Sequence, residues 1–126
     1  MNARLALVAG SLFMALAVAL GAFGAHALKA RLAPEMLAIW HTGVTYHAWH
    51  ALALILLGLL MLHASDNAAL RYAAWFFVAG IVLFGGSLYL LALGAPRWFG
   101  AIAPFGGVAF IGGWILFAAG AWSMRM

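Results

Sequence analysis

The chain contains no cysteine, so disulfides, thiolate metal sites and cysteine nucleophiles are excluded together. It has only two acidic residues, Glu35 and Asp66. The spans read below place them in loops on opposite sides of a membrane, which rules out paired-carboxylate chemistry. Charged residues of either sign make up 6% of the 126 positions and hydrophobic residues 69%, against about 25% and about 45–50% in a soluble domain. Lipid, not water, is the solvent such a composition suits. The sequence has no Gly-x-Ser-x-Gly elbow and no glycine-rich phosphate loop in a strand-to-helix setting, so a conventional hydrolase or kinase has no machinery here. The net charge of +4 rests on six basic residues spread singly. That pattern anchors helix ends to headgroups and argues against a nucleic-acid partner.

What is present is long apolar runs. A membrane helix needs about 20 residues, so four spans nearly exhaust the chain. We read residues 1–126 as one all-α domain, an integral membrane antiparallel four-helix bundle with helices at about 5–28, 36–63, 72–94 and 100–122. The first run, with Arg4 before it and the Ala25-His26-Ala27 triplet near its end, resembles a secretory signal, but its length and the three spans that follow favour an uncleaved helix. Pro34 and Glu35 mark the start of the second helix, because proline fits the first turn and a carboxylate there meets the positive end of the dipole. Ser65-Asp66-Asn67 breaks the chain, and Gly94-Ala95-Pro96-Arg97 ends the third run. Trp40, Trp98 and Trp122 fall near span ends and read as an aromatic belt. Orientation stays undetermined, since Arg4, Arg71 and Arg125 on one side balance Lys29, Arg31 and Arg97 on the other.

Small residues recur every seven positions: Ala3, Gly10, Ala17 and Gly24; Ala51, Gly58 and Ser65; Gly80, Ser87 and Gly94; Gly106, Gly113 and Gly120. In lipid, helices associate by close backbone approach and polar contacts, and a heptad period favours left-handed crossings near +20°. Gly10, Gly24, Gly58, Gly80, Gly106, Gly113 and Gly120 are therefore expected at helix seams.

Histidine is the one reactive residue type in the spans. At about 100° per residue, Gly43, His47, His50, Ala51, Leu54 and Gly58 share one arc of the second helix, so both histidines should face the bundle. The third span brings Ser87 and Tyr89 to similar depth. With His26 and Tyr46, these residues form a candidate polar intramembrane cluster. In one reading they are hydrogen-bonding glue between helices, at about 0.6 kcal/mol per bond; in the other they bind a ligand or relay protons. The glue reading is favoured. His47 and His50 could share a metal, but no carboxylate lies at their depth and zinc normally takes three or four protein ligands. His26, about 200° round its helix from Gly24, is poorly placed as a haem partner. No metal site and no cofactor are expected. His41 and His63, near the ends of the second helix, are read as solvated at the interface.

Several segments carry a resemblance. Gly21-Ala22-Phe23-Gly24-Ala25-His26-Ala27-Leu28, Thr42-Gly43-Val44-Thr45-Tyr46-His47, Gly86-Ser87-Leu88-Tyr89-Leu90 and Gly100-Ala101-Ile102-Ala103-Pro104-Phe105-Gly106-Gly107 resemble the YgdD-like family of small bacterial membrane proteins, a domain of unknown function, across nearly the whole chain. The pattern departs at His47, where that family commonly has glutamine, and at Ala103, where it has threonine. The resemblance implies a multi-pass bacterial inner-membrane protein and brings no catalytic residues with it.

Three functions follow as expectations. The favoured one is a non-enzymatic accessory or assembly protein, forming a homo-oligomer or joining a larger membrane complex within the lipid bilayer. The second is a small transporter or channel lined by the histidine, tyrosine and serine cluster. The third is a haem- or metal-binding membrane protein.

Overall fold

A computed structural model describes residues 1–125. Among them are four membrane-length helices and no strand: α1 (Ala3–Leu28), α2 (Pro34–Met61), α3 (Ala68–Ala92) and α4 (Ala103–Ser123), the last preceded by a 3₁₀ turn over Arg97–Ala101. Each is long and apolar enough to cross a bilayer. Local chemistry sets the ends. The Asn2 side chain accepts from Leu5 N at the start of α1, and Pro34 and Glu35 occupy the first turn of α2. Gly94, at φ +103°, turns the chain after α3, a left-handed conformation that costs glycine nothing.

All four helices differ from the sequence reading by one to four residues at one or both ends, and the fourth begins at Ala103 rather than at 100, after the 3₁₀ turn. The third helix begins at Ala68 rather than near Tyr72, because Asn67 is its cap and not merely a breaker: Oδ1 accepts from Leu70 N at 3.2 Å. The helix therefore carries Arg71 within its first turns, beyond the apolar run that hydropathy detects. The second helix ends at Met61, two residues before the expected His63.

The helices form two antiparallel hairpins, α1 on α2 and α3 on α4, joined where α2 meets α3. α1 and α4 share no comparable seam. Close approach in the first hairpin occurs at Gly10 and Gly58. A Cβ at Gly10 would lie 2.8 Å from Ile55 Cγ1 and 2.9 Å from the Ala51 carbonyl oxygen, and one at Gly58 would lie 2.7 Å from Leu7 Cγ. In the second hairpin Gly80 abuts the Phe110 ring, Gly106 the Phe84 backbone, Gly113 the Phe77 ring and Gly120 Leu70. Gly24 lies against the Trp40 indole. Gly94 of the third stripe sits in the turn, with open space where a side chain would go.

Two π-helical turns interrupt regular winding, one at Gly24–Leu28 closing α1 and one at Ile81–Gly85 inside α3. Such turns widen the helix by one residue and recur at functional positions. The second lies between Gly80 and Gly86, where Phe84 packs on Phe110 and Tyr46.

Asn67 also ties the hairpin ends together, since Nδ2 donates to the Gly120 carbonyl and to Ser123 Oγ, both at 3.0 Å. Asn67→Ala removes the cap and both cross-helix bonds. It is expected to lower stability by about 1–2 kcal/mol, read as a lower melting temperature in detergent. Asn67→Asp keeps the cap acceptor but sets a second acceptor oxygen against the Gly120 carbonyl, so it should recover only a small part of the loss.

Candidate functional site

The inward arc of α2 positions the site. Gly43, His47, His50, Ala51, Leu54 and Gly58 are all buried, and His47 and His50 are only 2% and 4% exposed. Gly43 admits the Tyr89 ring of α3, whose Cε1 would come within 2.9 Å of a Cβ there. That approach sets Tyr89 against the next turn of α2.

His47 Nδ1 and the Tyr89 hydroxyl are 2.8 Å apart. Either imidazole tautomer makes this bond, with the hydroxyl as donor or as acceptor. His47 Nε2 has no hydrogen-bond partner among the described residues. The imidazole lies beside the Phe13 backbone and meets the Phe13 ring edge-on at 5.9 Å, so α1 closes this side.

His50 is held differently. Trp114 Nε1 of α4 donates to His50 Nε2 at 3.0 Å. An indole N–H only donates, so Nε2 carries the lone pair and Nδ1 the proton. Nδ1–H then donates to the Tyr46 carbonyl at 2.6 Å, and the ring stacks on Phe110 at 3.5 Å. Both nitrogens of a neutral imidazole are engaged, and in this arrangement neither is free to ligate a metal.

The remaining candidates separate. The Ser87 hydroxyl donates to the Phe84 carbonyl at 3.0 Å, a bond inside α3 that serves the π turn. Tyr46 is partly exposed, stacking near His50 and lying 4.8 Å from Phe84. His26 is exposed on the final turn of α1 and does not join the cluster, since it lies on the outer face, opposite the buried Gly24 and Leu28. Trp40 corrects the aromatic-belt reading. It is buried, and its Nε1–H donates to the Leu20 carbonyl at 2.9 Å, fastening α2 to α1. Trp98 and Trp122 are exposed at the ends. His41 and His63 are exposed as well. No group of three or more histidine, cysteine, aspartate or glutamate side chains is placed to hold a metal among the described residues.

The sequence reading missed Trp114 and Phe110, the partners of His50. The available signal was depth alone, since His50 and Trp114 both lie near the middle of α2 and α4, which run parallel. Spacing within one helix does not report rotation against another.

The comparisons agree with this architecture. A family model described as "Protein of unknown function (DUF423)" matches residues 20–107. The UPF0382 membrane protein YwdK of Bacillus subtilis is 45% identical over 115 residues, covering 91% of this chain and 94% of that one. The UPF0382 membrane protein SH2409 of Staphylococcus haemolyticus is 40% identical over 113 residues, covering 90% and 91%. A Staphylococcus aureus relative, SAB0533, is 41% identical over 113 residues, again covering 90% and 91%. These relatives carry the UPF0382 name and not the YgdD-like one. No solved structure matches. Four apolar spans, a paired polar interior and full-length similarity to bacterial membrane proteins lead to one statement: the chain belongs to the DUF423, or UPF0382, family of multi-pass membrane proteins.

Proposed function

We propose that this chain is a non-enzymatic accessory protein that assembles laterally with other membrane proteins or with copies of itself. The supporting observation is how its buried polar groups are used. His50 is taken up by Trp114 and the Tyr46 carbonyl, His47 by Tyr89, and Ser87 by the Phe84 carbonyl. The Tyr89 and Trp114 bonds fasten helices to one another and the two carbonyl bonds close within α2 and α3, so what the molecule offers its surroundings is its lateral face, where Trp49, Trp75 and Trp114 are substantially exposed.

The test is crosslinking in native membranes at normal expression, followed by mild solubilisation and mass analysis. Adducts joining this chain to a second polypeptide, retained through purification, are the expected result. Recovery of the uncrosslinked monomer alone, under conditions that crosslink a known complex, would sink the reading.

A further inference from the structure

Between α2 and α4 a cavity of about 440 Å³ opens to the lipid side, lined among others by Tyr46, Trp49, Phe84, Gly107, Phe110 and Trp114. An adjoining hollow of about 300 Å³ shares Trp49, His50 and Trp114 with it. The volume and aromatic lining are those of small-molecule sites, which combine apolar walls with a few polar handles. Two handles are present. Neither the Tyr46 hydroxyl nor Trp49 Nε1–H has a hydrogen-bond partner among the described residues. Both side chains are exposed to the lipid side, Tyr46 at 37% and Trp49 at 58%.

Their depth makes this unusual. Tyrosine and tryptophan favour the membrane interface, where the polar end stays wet. The midpoint of α2 (Pro34–Met61) falls between His47 and Ala48, so Tyr46 and Trp49 lie within about 3 Å of it along the axis at about 1.5 Å per residue. Hydrocarbon supplies no acceptor there, and an unpaired donor in it is costly. Charge complementarity selects the occupant. The donors present the positive ends of O–H and N–H dipoles, and the occupant must bring oxygen lone pairs to the mid-plane. With the middle of α2 centred in a slab about 30 Å thick, phospholipid ester oxygens stay at its edges, about 15 Å away. The occupant is therefore soluble in hydrocarbon as a whole, bears carbonyl oxygens, and is flat enough to lie against aromatic walls.

We propose that this cavity binds the ring of a membrane-soluble quinone. Gly107 keeps the space open, since a Cβ there would meet nothing within 4 Å. The same holds for Gly86, which lines a separate cavity beside Phe13, His47 and Tyr89. The pair supplies a filling variant and a matched control at two positions where an added Cβ meets no neighbour. Quinone binding and lateral assembly are separable, because each has its own readout.

The full chain is reconstituted in nanodiscs and titrated with ubiquinone bearing one isoprene unit, following tryptophan emission, which quinones quench on contact. Wild type and Gly86→Leu are expected to show saturable quenching at the same concentration. Gly107→Leu should weaken apparent affinity at least ten-fold, and Tyr46→Phe, which removes only the hydroxyl, several-fold. Melting temperatures check that each variant is folded. Linear quenching alike in wild type and both cavity variants means partition into lipid only and overturns the proposal. So does a photocrosslinker at position 49 that captures a polypeptide in native membranes while quenching stays linear, an outcome that assigns the cavity to a partner's helix.

Discussion

Replacing Gly106 by leucine is expected to abolish most of the folded protein. A Cβ at this position would run into the backbone and Cβ of Phe84, inside the π turn of α3. A ring can rotate away from an intruding methyl, but a hydrogen-bonded backbone cannot without opening the helix. Overpacking usually costs about 1–3 kcal/mol and more where backbone must move, so at least about 3 kcal/mol is expected, a large share of a typical domain's stability. The readout is monodisperse yield after detergent extraction, together with the melting temperature of what survives. Gly107→Leu, one residue further on, faces open space and should melt like the wild type. Equal behaviour of the two variants would show that the α3–α4 seam is not set by close approach at Gly106.

The second large effect is expected at His50. His50→Leu leaves the Trp114 indole N–H without its acceptor and removes the ring stacked on Phe110. An orphaned polar group costs about 1–3 kcal/mol and the lost aromatic contact about 0.5–1.5 kcal/mol, giving about 1.5–4.5 kcal/mol in total. Trp114→Phe alone should cost less, because the Nε2 lone pair it strands belongs to a side chain still held by the Tyr46 carbonyl. The informative measurement is the double-mutant cycle. Once His50 is gone the indole N–H has nothing to lose, so the two changes should fall short of additivity by about 0.6–1.7 kcal/mol, the range found for membrane hydrogen bonds. Strict additivity would mean that the 3.0 Å contact contributes nothing to stability.

Part of the site could be read before the fold was known. The arc that carries His47 and His50 inward follows from helical period alone, since the glycines and alanines beside them mark the only face of α2 that can approach a neighbour. Tyr89 was within reach of the same reasoning, because an antiparallel third span matches its depth to that of α2. So was the outward direction of His26, about 200° round its helix from Gly24, where the structure leaves it exposed. Trp40 was not. Trp40 sits near a span end, where tryptophans are ordinarily interfacial. It is buried because Gly24 leaves room for its indole and the Leu20 carbonyl can accept one more hydrogen bond. Asn67 shows the intermediate case: its breaking and capping tendencies are the same chemistry, and only the position of α4 reveals that its amide also reaches Gly120 and Ser123.

Residue composition by itself determined that this chain lives in lipid, crosses it four times and is helical throughout. Transfer to hydrocarbon is close to a sum over residues, and a backbone without water must satisfy its own hydrogen bonds. Tertiary structure alone decided which polar atom meets which: Trp114 with His50, Tyr89 with His47, and the Tyr46 hydroxyl and Trp49 N–H with no partner among the described residues. Those pairings depend on how far each helix is rotated and shifted against its neighbours. In a bundle held by glycine-level contact, that rotation is set by the shapes of the facing side chains, which no single helix contains.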